Sequence, residues 1–228
     1  LTISMTAPGT TTNDDGILVP SGVSADITLD GLNIAMYHRI AAPVAIEPGA
    51  AATIYFANTN TFLGGYNHAG IEVPTGATAT LHMRALEDIE TKVEASGGPG
   101  AAGVGGPFGD ACGTIKLTSW TGGWLVNLKA YGGERNLIFP ATATYEIFGG
   151  AGIGGGACIA EDGTPLPKSG DEAGYIDINV GTISAYGATR GAGIGGGAYH
   201  APNIRIRGGD FPEVVGGTWG AGIGGGAA

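Results

Sequence analysis

The sequence predicts an all-β solenoid, and three observations support this prediction. First, three N-terminal segments, VPSGVSADITL, IEPGAAATIYF and VPTGATATLHM, align without gaps, and their shared glycines Gly22, Gly49 and Gly76 recur at intervals of 27 residues. Second, the motif GAGIGGG occurs three times in the C-terminal half. Third, short runs that alternate apolar and polar residues precede the late motifs, as expected of strands. A recurring unit of this length indicates stacked coils.

The N-terminal repeat extends to the apolar positions. Equivalent places in the three segments carry Val19, Ile46 and Val73, then Ile27, Ile54 and Leu81, then Leu29, Phe56 and Met83. Matching apolar residues at a fixed period predict a narrow core in which like side chains stack from coil to coil.

The C-terminal repeat is less regular. Full copies of GAGIGGG begin at Gly150, Gly191 and Gly220, and looser copies are AAGVGGP from Ala101 and HAGIEVP from His68. The glycines that follow alanine are Gly70, Gly103, Gly152, Gly193 and Gly222, at intervals of 33, 49, 41 and 29 residues. Two loop insertions, near 118–145 and 159–173, account for the uneven spacing and leave a unit of 27–29 residues.

The same motif also fits G-x-G-x-x-G, the dinucleotide-binding pattern, which needs a helix after it and an acidic residue about twenty positions on. No copy is followed by a helix-forming sequence, so we predict corners of a coil and no cofactor. Glycine would provide positive φ angles and close approach between coils. Ile153, Ile194 and Ile223 would stack in the core.

Helix is disfavoured because Gly and Pro interrupt nearly every long segment. The best helical candidate is LHMRALEDIETKVEA from Leu81, with apolar residues three and four apart. Leu81 and Met83 also belong to the 27-residue repeat, and we therefore predict strand at this place as well.

The amino-acid composition argues against some classes of function. Glycine supplies 46 of 228 residues, whereas charged residues make up only 13%, about half the usual share. The net charge of −10 and the scattered basic residues argue against nucleic-acid binding. No apolar run reaches the length of a membrane span, so membrane insertion is not expected.

These features predict one right-handed parallel β-helix domain over residues 1–228, with regular coils in 1–97 and Gly-rich coils in 98–228. The segments IDINVGTISAYGATRGAGIGGG and IRIRGGDFPEVVGGTWGAGIGGG resemble the Gly-rich β-helix repeats of secreted and cell-surface bacterial proteins. This resemblance implies an extracellular or cell-surface location and a structural or adhesive role. Such modules are associated with carbohydrate binding, but the family implies no shared catalytic set.

The first insertion provides the candidate ligand-binding residues Trp120, Trp124, Tyr131 and Arg135. Insertions in solenoids gather on one face, and exposed aromatic rings can stack on sugars. A glycan or a host-surface molecule is the expected partner. The alternative is that these aromatic residues pack onto the coils.

An alternative function is a polysaccharide hydrolase or lyase with acidic residues clustered in a groove. The candidate doublets are Asp14 with Asp15, Glu161 with Asp162, and Asp171 with Glu172. Neighbours on a strand point to opposite faces, so these doublets make poor catalytic pairs. The histidines His38, His68, His82 and His200 show no ligand spacing, and we expect them at coil surfaces or corners, with no metal site.

Two features bear on covalent and quaternary structure. Cys112 and Cys158 follow their reference glycines at similar distances, so either a disulfide or two separate thiols fits the sequence. The last coil ends in GAGIGGGAA without a polar cap. Uncapped coils pair with further coils or with other copies, which predicts a fragment of a longer protein or end-to-end assembly into oligomers or filaments.

Overall fold

The protein is built from β-strands. The structure, a computed structural model, describes residues 1–5, 10–83, 90–119, 125–139, 144–160, 164, 166 and 174–227. Within these residues there is no helix, and therefore no helical segment that could cross a membrane. The predicted all-β class is thus confirmed.

Most of the strands are short, and many of the segments between them contain Gly, Pro or Asn. In chain order the strands are β1 (Thr2–Ser4), β2 (Ile17–Val19), β3 (Ser24–Asp30), β4 (Asn33–Ala35), β5 (Val44–Ile46), β6 (Ala51–Ala57), β7 (Thr59–Leu63), β8 (Ile71–Glu72), β9 (Thr78–His82), β10 (Thr91–Ser96), β11 (Val104–Gly105), β12 (Thr114–Thr118), β13 (Val126–Tyr131), β14 (Glu134–Phe139), β15 (Thr144–Gly149), β16 (Ile153–Gly154), β17 (Tyr175–Ile178), β18 (Thr182–Tyr186), β19 (Ile194–Gly195), β20 (Asn203–Ile206), β21 (Asp210–Val215) and β22 (Ile223–Gly224).

Three parallel sheets contain all of these strands except β14 and β15. Sheet A has the order β1-β3-β6-β9-β12-β17-β20, sheet B β4-β7-β10-β13-β18-β21, and sheet C β2-β5-β8-β11-β16-β19-β22. From β2 onward the chain visits sheet C, then A, then B, and repeats this cycle. Each strand pairs with its equivalent in the next cycle, an arrangement compatible with a parallel β-helix.

The predicted isoleucine stack lies in sheet C. Ile153 pairs in register with Ile194, and Ile194 with Ile223. The first two side chains are fully buried, whereas Ile223, in the last strand of the sheet, is 49% exposed. The predicted register is therefore confirmed, and Ile153 and Ile194 lie in the core as predicted, whereas Ile223 does not.

The glycines of the motif have two distinct roles. The glycine after each stacked residue has a positive φ, 138° at Gly154 and 142° at Gly195, a region that L side chains rarely adopt. The glycine before the isoleucine is needed for close approach, because a Cβ on Gly152 would lie 2.6 Å from the backbone nitrogen of Tyr186. Both predicted reasons for glycine apply: close approach alone at Gly152, and positive φ together with close approach at Gly154 and Gly195.

The N-terminal repeat forms sheet A in the predicted register. Ile27 pairs with Ile54, Ile54 with Leu81, and Leu29 with Phe56. All five residues are buried, and full burial of such a side chain stabilises by about 1.5–3 kcal/mol relative to exposure. The shared glycines lie in turns with positive φ, at 76° for Gly22, 82° for Gly49 and 83° for Gly76.

In its described part, the helical candidate from Leu81 contains the end of β9 and β10 up to Ala95. Residues 84–89 lie outside the described residues. In β10 the side chains alternate between buried and exposed, a period of two that belongs to strands.

The first insertion is smaller than the predicted 118–145. Within that range, β13 is a regular strand of sheet B, paired with β10 and β18. The inserted element is the antiparallel hairpin β14–β15, which is attached to the coils on both sides. Arg135 of the hairpin lies 4.2 Å from the ring centre of Phe108, and Arg190 of a later coil lies 4.6 Å from that of Phe148.

The second insertion falls mostly outside the described residues.

Candidate functional site

The outer face of sheet B is the best candidate for a functional site. Alternate residues of its strands point outward, and the parallel register aligns them in rows across the sheet. One row contains Thr61, Glu94, Lys129, Ser184 and Glu213. Because the inward neighbours form the core, this face presents hydroxyl, carboxylate and amine groups on a rigid backbone.

A groove of about 540 Å³, the sheet-B groove, crosses this face. Its lining residues come from adjacent coils: Thr59, Thr61, Glu90, Lys92, Val93, Glu94, Asn127, Leu128, Lys129, Thr182, Ser184, Tyr186, Pro212 and Glu213. Neutral and charged hydrogen-bonding groups thus alternate along a groove large enough for a small ligand.

A tyrosine pair stands at the side of this groove. The rings of Tyr131 and Tyr186 stack with centroids 4.8 Å apart and planes 7° apart. The Tyr186 hydroxyl donates a hydrogen bond to Glu213 over 2.8 Å, and this bond raises the pKa of Tyr186. Burial raises the pKa of Tyr131, with a further rise from the negative charges of Glu94 and Glu213. Both phenols therefore remain neutral donors at neutral pH.

The charges in the sheet-B groove partly compensate one another. Glu90 lies 3.3 Å from the Lys92 amine and accepts a hydrogen bond from Asn127 over 3.2 Å. The lining residues comprise three carboxylates, Glu90, Glu94 and Glu213, and two lysines, Lys92 and Lys129. The groove is therefore close to neutral, with one excess negative charge.

The hydrolase alternative needs several carboxylates in one groove, and the sheet-B groove has three, but the two that share a row are too far apart for it. Glu94 and Glu213 occupy one row and are separated by three strand-to-strand steps, about 14 Å between Cα atoms. Paired glycosidase carboxyl groups lie about 5–9.5 Å apart. Side chains that project outward in parallel from such positions favour binding over this reaction.

Two of the four predicted ligand-binding residues, Tyr131 and Arg135, lie in the described part of the chain, and their surroundings differ. Tyr131 lies on β13 in the stacked pair beside the sheet-B groove. Arg135 is only 7% exposed and packs between Tyr66 and Phe108, so it has the packing role named as the alternative. Trp120 and Trp124 lie outside the described residues.

The two cysteines are thiols in the structure, so the disulfide that the sequence allowed is not formed. Cys112 is fully buried, and burial raises its pKa to about 12. Cys158 is partly exposed, and its Sγ lies 3.7 Å from the carbonyl oxygen of Gly156.

The predicted acidic doublets do not line the sheet-B groove in the described residues. Asp14 forms an ion pair with Arg39, and Asp15 accepts a hydrogen bond from the Thr12 hydroxyl. Both doublets of the second insertion, Glu161 with Asp162 and Asp171 with Glu172, lie outside the described residues. Across the described ranges, no three His, Cys, Asp or Glu side chains could hold one metal ion.

Sequence reasoning missed most of the groove. Glu94, Ser184, Tyr186 and Glu213 were not singled out, because each is an ordinary polar residue in its own strand. The available signal was positional. Once the equivalent sheet-B strands of the coils are aligned, these side chains occupy the alternate positions that face outward. An alignment of the repeats that uses only apolar and glycine positions does not consider these outward-facing positions.

Comparison with family models, curated proteins and solved structures gives no match for this chain. The site must therefore be interpreted from its own geometry.

Proposed function

We propose that the protein is a right-handed parallel β-helix that acts as a structural or adhesive, glycan-binding module on the outside of a bacterial cell. The three parallel sheets and their cyclic order support the β-helix. The right hand follows from the handedness that parallel strand crossovers nearly always adopt. An experimental structure determined at side-chain resolution tests the hand.

The observation that carries the glycan-binding proposal is the sheet-B groove beside the Tyr131–Tyr186 stack. Sugars need many hydrogen-bond partners and a flat apolar surface for their C–H faces. The groove provides hydroxyl, amide and charged groups, and the stacked rings provide the flat surface. All of these groups except Glu90 are on strands, which hold them in fixed positions without a ligand.

The low content of charged residues and the acidic net charge support the extracellular location, together with the resemblance of the repeats to those of cell-surface proteins. The wide separation of Glu94 and Glu213 supports binding over hydrolysis.

The test is a glycan array followed by calorimetric titration of any ligand found. Tyr186→Ala removes one ring of the stack and one groove wall, and we expect affinity to fall roughly tenfold, a loss of about 1.4 kcal/mol. Tyr55→Ala is the matched control, because Tyr55 stacks on His82 at 4.5 Å on sheet A, away from the groove. Equal affinities of the two variants would exclude the sheet-B groove.

A second binding experiment uses a variant in which Trp120 and Trp124 are replaced by alanine. If binding depends on these residues and not on Tyr186, the first insertion is the binding element and the groove is not.

End-to-end assembly remains a prediction. Ile223 exposes about half of its side chain where its buried partners in sheet C are covered by the next coil. Electron micrographs of the purified chain distinguish filaments from separate particles.

A further inference from the structure

The coil that contains Ile71 departs at two positions from the small residues of the GAGIGGG motif. In the sheet C ladder, Ile71 pairs with Val104, the first of the later stacked residues. The residue after the stacked position is glycine in the four later coils but Glu72 in this one. The residue three places before it is small in those coils but His68 in this one. The small residues concerned are Gly105, Gly154, Gly195 and Gly224, and Ala101, Gly150, Gly191 and Gly220.

These two exceptional residues contact each other. The His68 Nδ1–H donates to Glu72 Oε2 over 2.8 Å, and the Ala69 backbone N–H donates to the same oxygen over 3.1 Å. The Glu72 side chain is only 11% exposed and that of His68 is 26% exposed. The carboxylate therefore fixes both the ring orientation and the tautomer, and Nε2 remains as the ring atom that can accept a proton.

The backbone around His68 is fixed as well. The His68 N–H donates to the Gly65 carbonyl over 3.0 Å, and the Gly98 N–H donates to the His68 carbonyl over 2.9 Å. An oriented imidazole on a rigid corner is the arrangement that general-base catalysis needs.

The pair forms one wall of a second groove of about 730 Å³, the sheet-C groove. Its floor contains Ala45, which lies between Glu72 and Leu18 in the ladder. Leu18 and Glu72 are therefore two strand steps apart, about 10 Å. The small alanine leaves the space between these walls open.

The other lining groups complement a base. Arg39 and Asp14 contribute an exposed ion pair, and His38 also lines the groove. Ile40, 80% exposed, and Leu18, 58% exposed, contribute apolar surface. Among the described lining residues there is no Ser, Thr or Cys to act as a covalent nucleophile, so the nucleophile available to this base is water.

We propose that the sheet-C groove hydrolyses carboxylic esters with a small apolar acyl group, with His68 as the catalytic base and Glu72 as its positioning residue. His68 Nε2 takes a proton from water as the water oxygen bonds to the carbonyl carbon. The carbonyl oxygen takes up the negative charge as this bond forms. The bond to the alcohol oxygen then breaks, the imidazolium returns the proton to that oxygen, and the acid and the alcohol leave. The acyl group packs on Leu18 and Ile40.

The experiment measures hydrolysis of p-nitrophenyl acetate and butyrate by the full chain. We expect His68→Gln to lower kcat/KM about 100-fold, within the usual contribution of a general base. Glu72→Gln should lower kcat with KM unchanged, because Glu72 does not touch the ester. Free imidazole should restore part of the activity of His68→Ala, which a purely structural role of His68 does not predict.

His82→Gln is the matched control, since His82 stacks on Tyr55 on sheet A, and it should keep the wild-type rate. Thermal unfolding followed by circular dichroism establishes that each variant is folded. Wild-type rates no higher than those of His68→Gln would overturn the proposal, and so would a Glu72→Gln enzyme with unchanged kcat. Glycan binding at the sheet-B groove is measured independently and does not bear on this outcome.

Discussion

Replacing Gly195 by alanine tests the two physical reasons for glycine in the repeated motif. Gly195 has a φ of 142°, and a Cβ there would overlap the carbonyl oxygen of Gly224 in the next coil. Holding alanine at such a φ costs about 1–3 kcal/mol. Relieving the overlap requires a backbone shift in a packed stack, about another 1–3 kcal/mol. We therefore expect the free energy of unfolding to fall by about 4 kcal/mol.

Two further glycines separate these contributions. Gly22→Ala keeps a positive φ of 76°, but a Cβ there meets no atom within 4 Å, so we expect a cost of about 1–2 kcal/mol. Gly224→Ala has nearly the φ of Gly195, 138°, yet its nearest neighbour is the Ala221 Cβ at 3.6 Å. Its cost should be that of the φ angle alone.

The assay is urea unfolding followed by far-ultraviolet circular dichroism, with the slopes compared before the midpoints are interpreted. The expected order of destabilisation is Gly195→Ala, then Gly224→Ala, then Gly22→Ala. If Gly195→Ala costs no more than Gly22→Ala, close approach between coils is not the reason for glycine in this motif.

Three other predictions concern the core, a thiol and a phenol. Ile153→Ala, in the middle of the buried stack, should lower the free energy of unfolding by about 2–5 kcal/mol, and a loss below 1 kcal/mol in the same urea assay would contradict the packing. A thiol reagent at pH 8 should modify Cys158 but not Cys112, whose pKa of about 12 keeps it protonated, so mass spectrometry should find one label in the folded protein and two after denaturation. Because the hydrogen bond to Glu213 raises the pKa of Tyr186, its stabilising effect is present below the ordinary tyrosine pKa of about 10 and is lost as pH rises through the higher folded value. Ultraviolet titration should show this phenol ionising at lower pH in Glu213→Gln, and an unchanged titration would show that the bond is not formed.

Much of the fold was predictable because the core repeats. An inward side chain must match the one above it and the one below it, so Ile153, Ile194 and Ile223 recur in the sequence and stack in the structure. The hairpin β14–β15 was not predicted as a separate element. No repeat marks its boundaries, and the strand β13 before it lies within the range assigned to the insertion.

The candidate sites were much less predictable. Of the four residues chosen from the sequence, Tyr131 lies beside the sheet-B groove, whereas Arg135 is buried in the attachment of the hairpin. An aromatic or cationic residue in an insertion can point to solvent or pack against a coil. The sequence does not distinguish the two cases, because the difference depends on which coil surface the hairpin meets.

By itself, the sequence determined the repeat, the strand character of the chain and the positions that require glycine. Each of these follows from a constraint that every coil must satisfy. Only the tertiary structure decided which outward side chains are neighbours. Glu94 and Glu213 share a row, and His68 meets Glu72, because register and corner geometry place them there. Outward positions do not pack in the shared core. Most of them need not match the residue in the next coil, and their chemistry depends on the fold that brings them together.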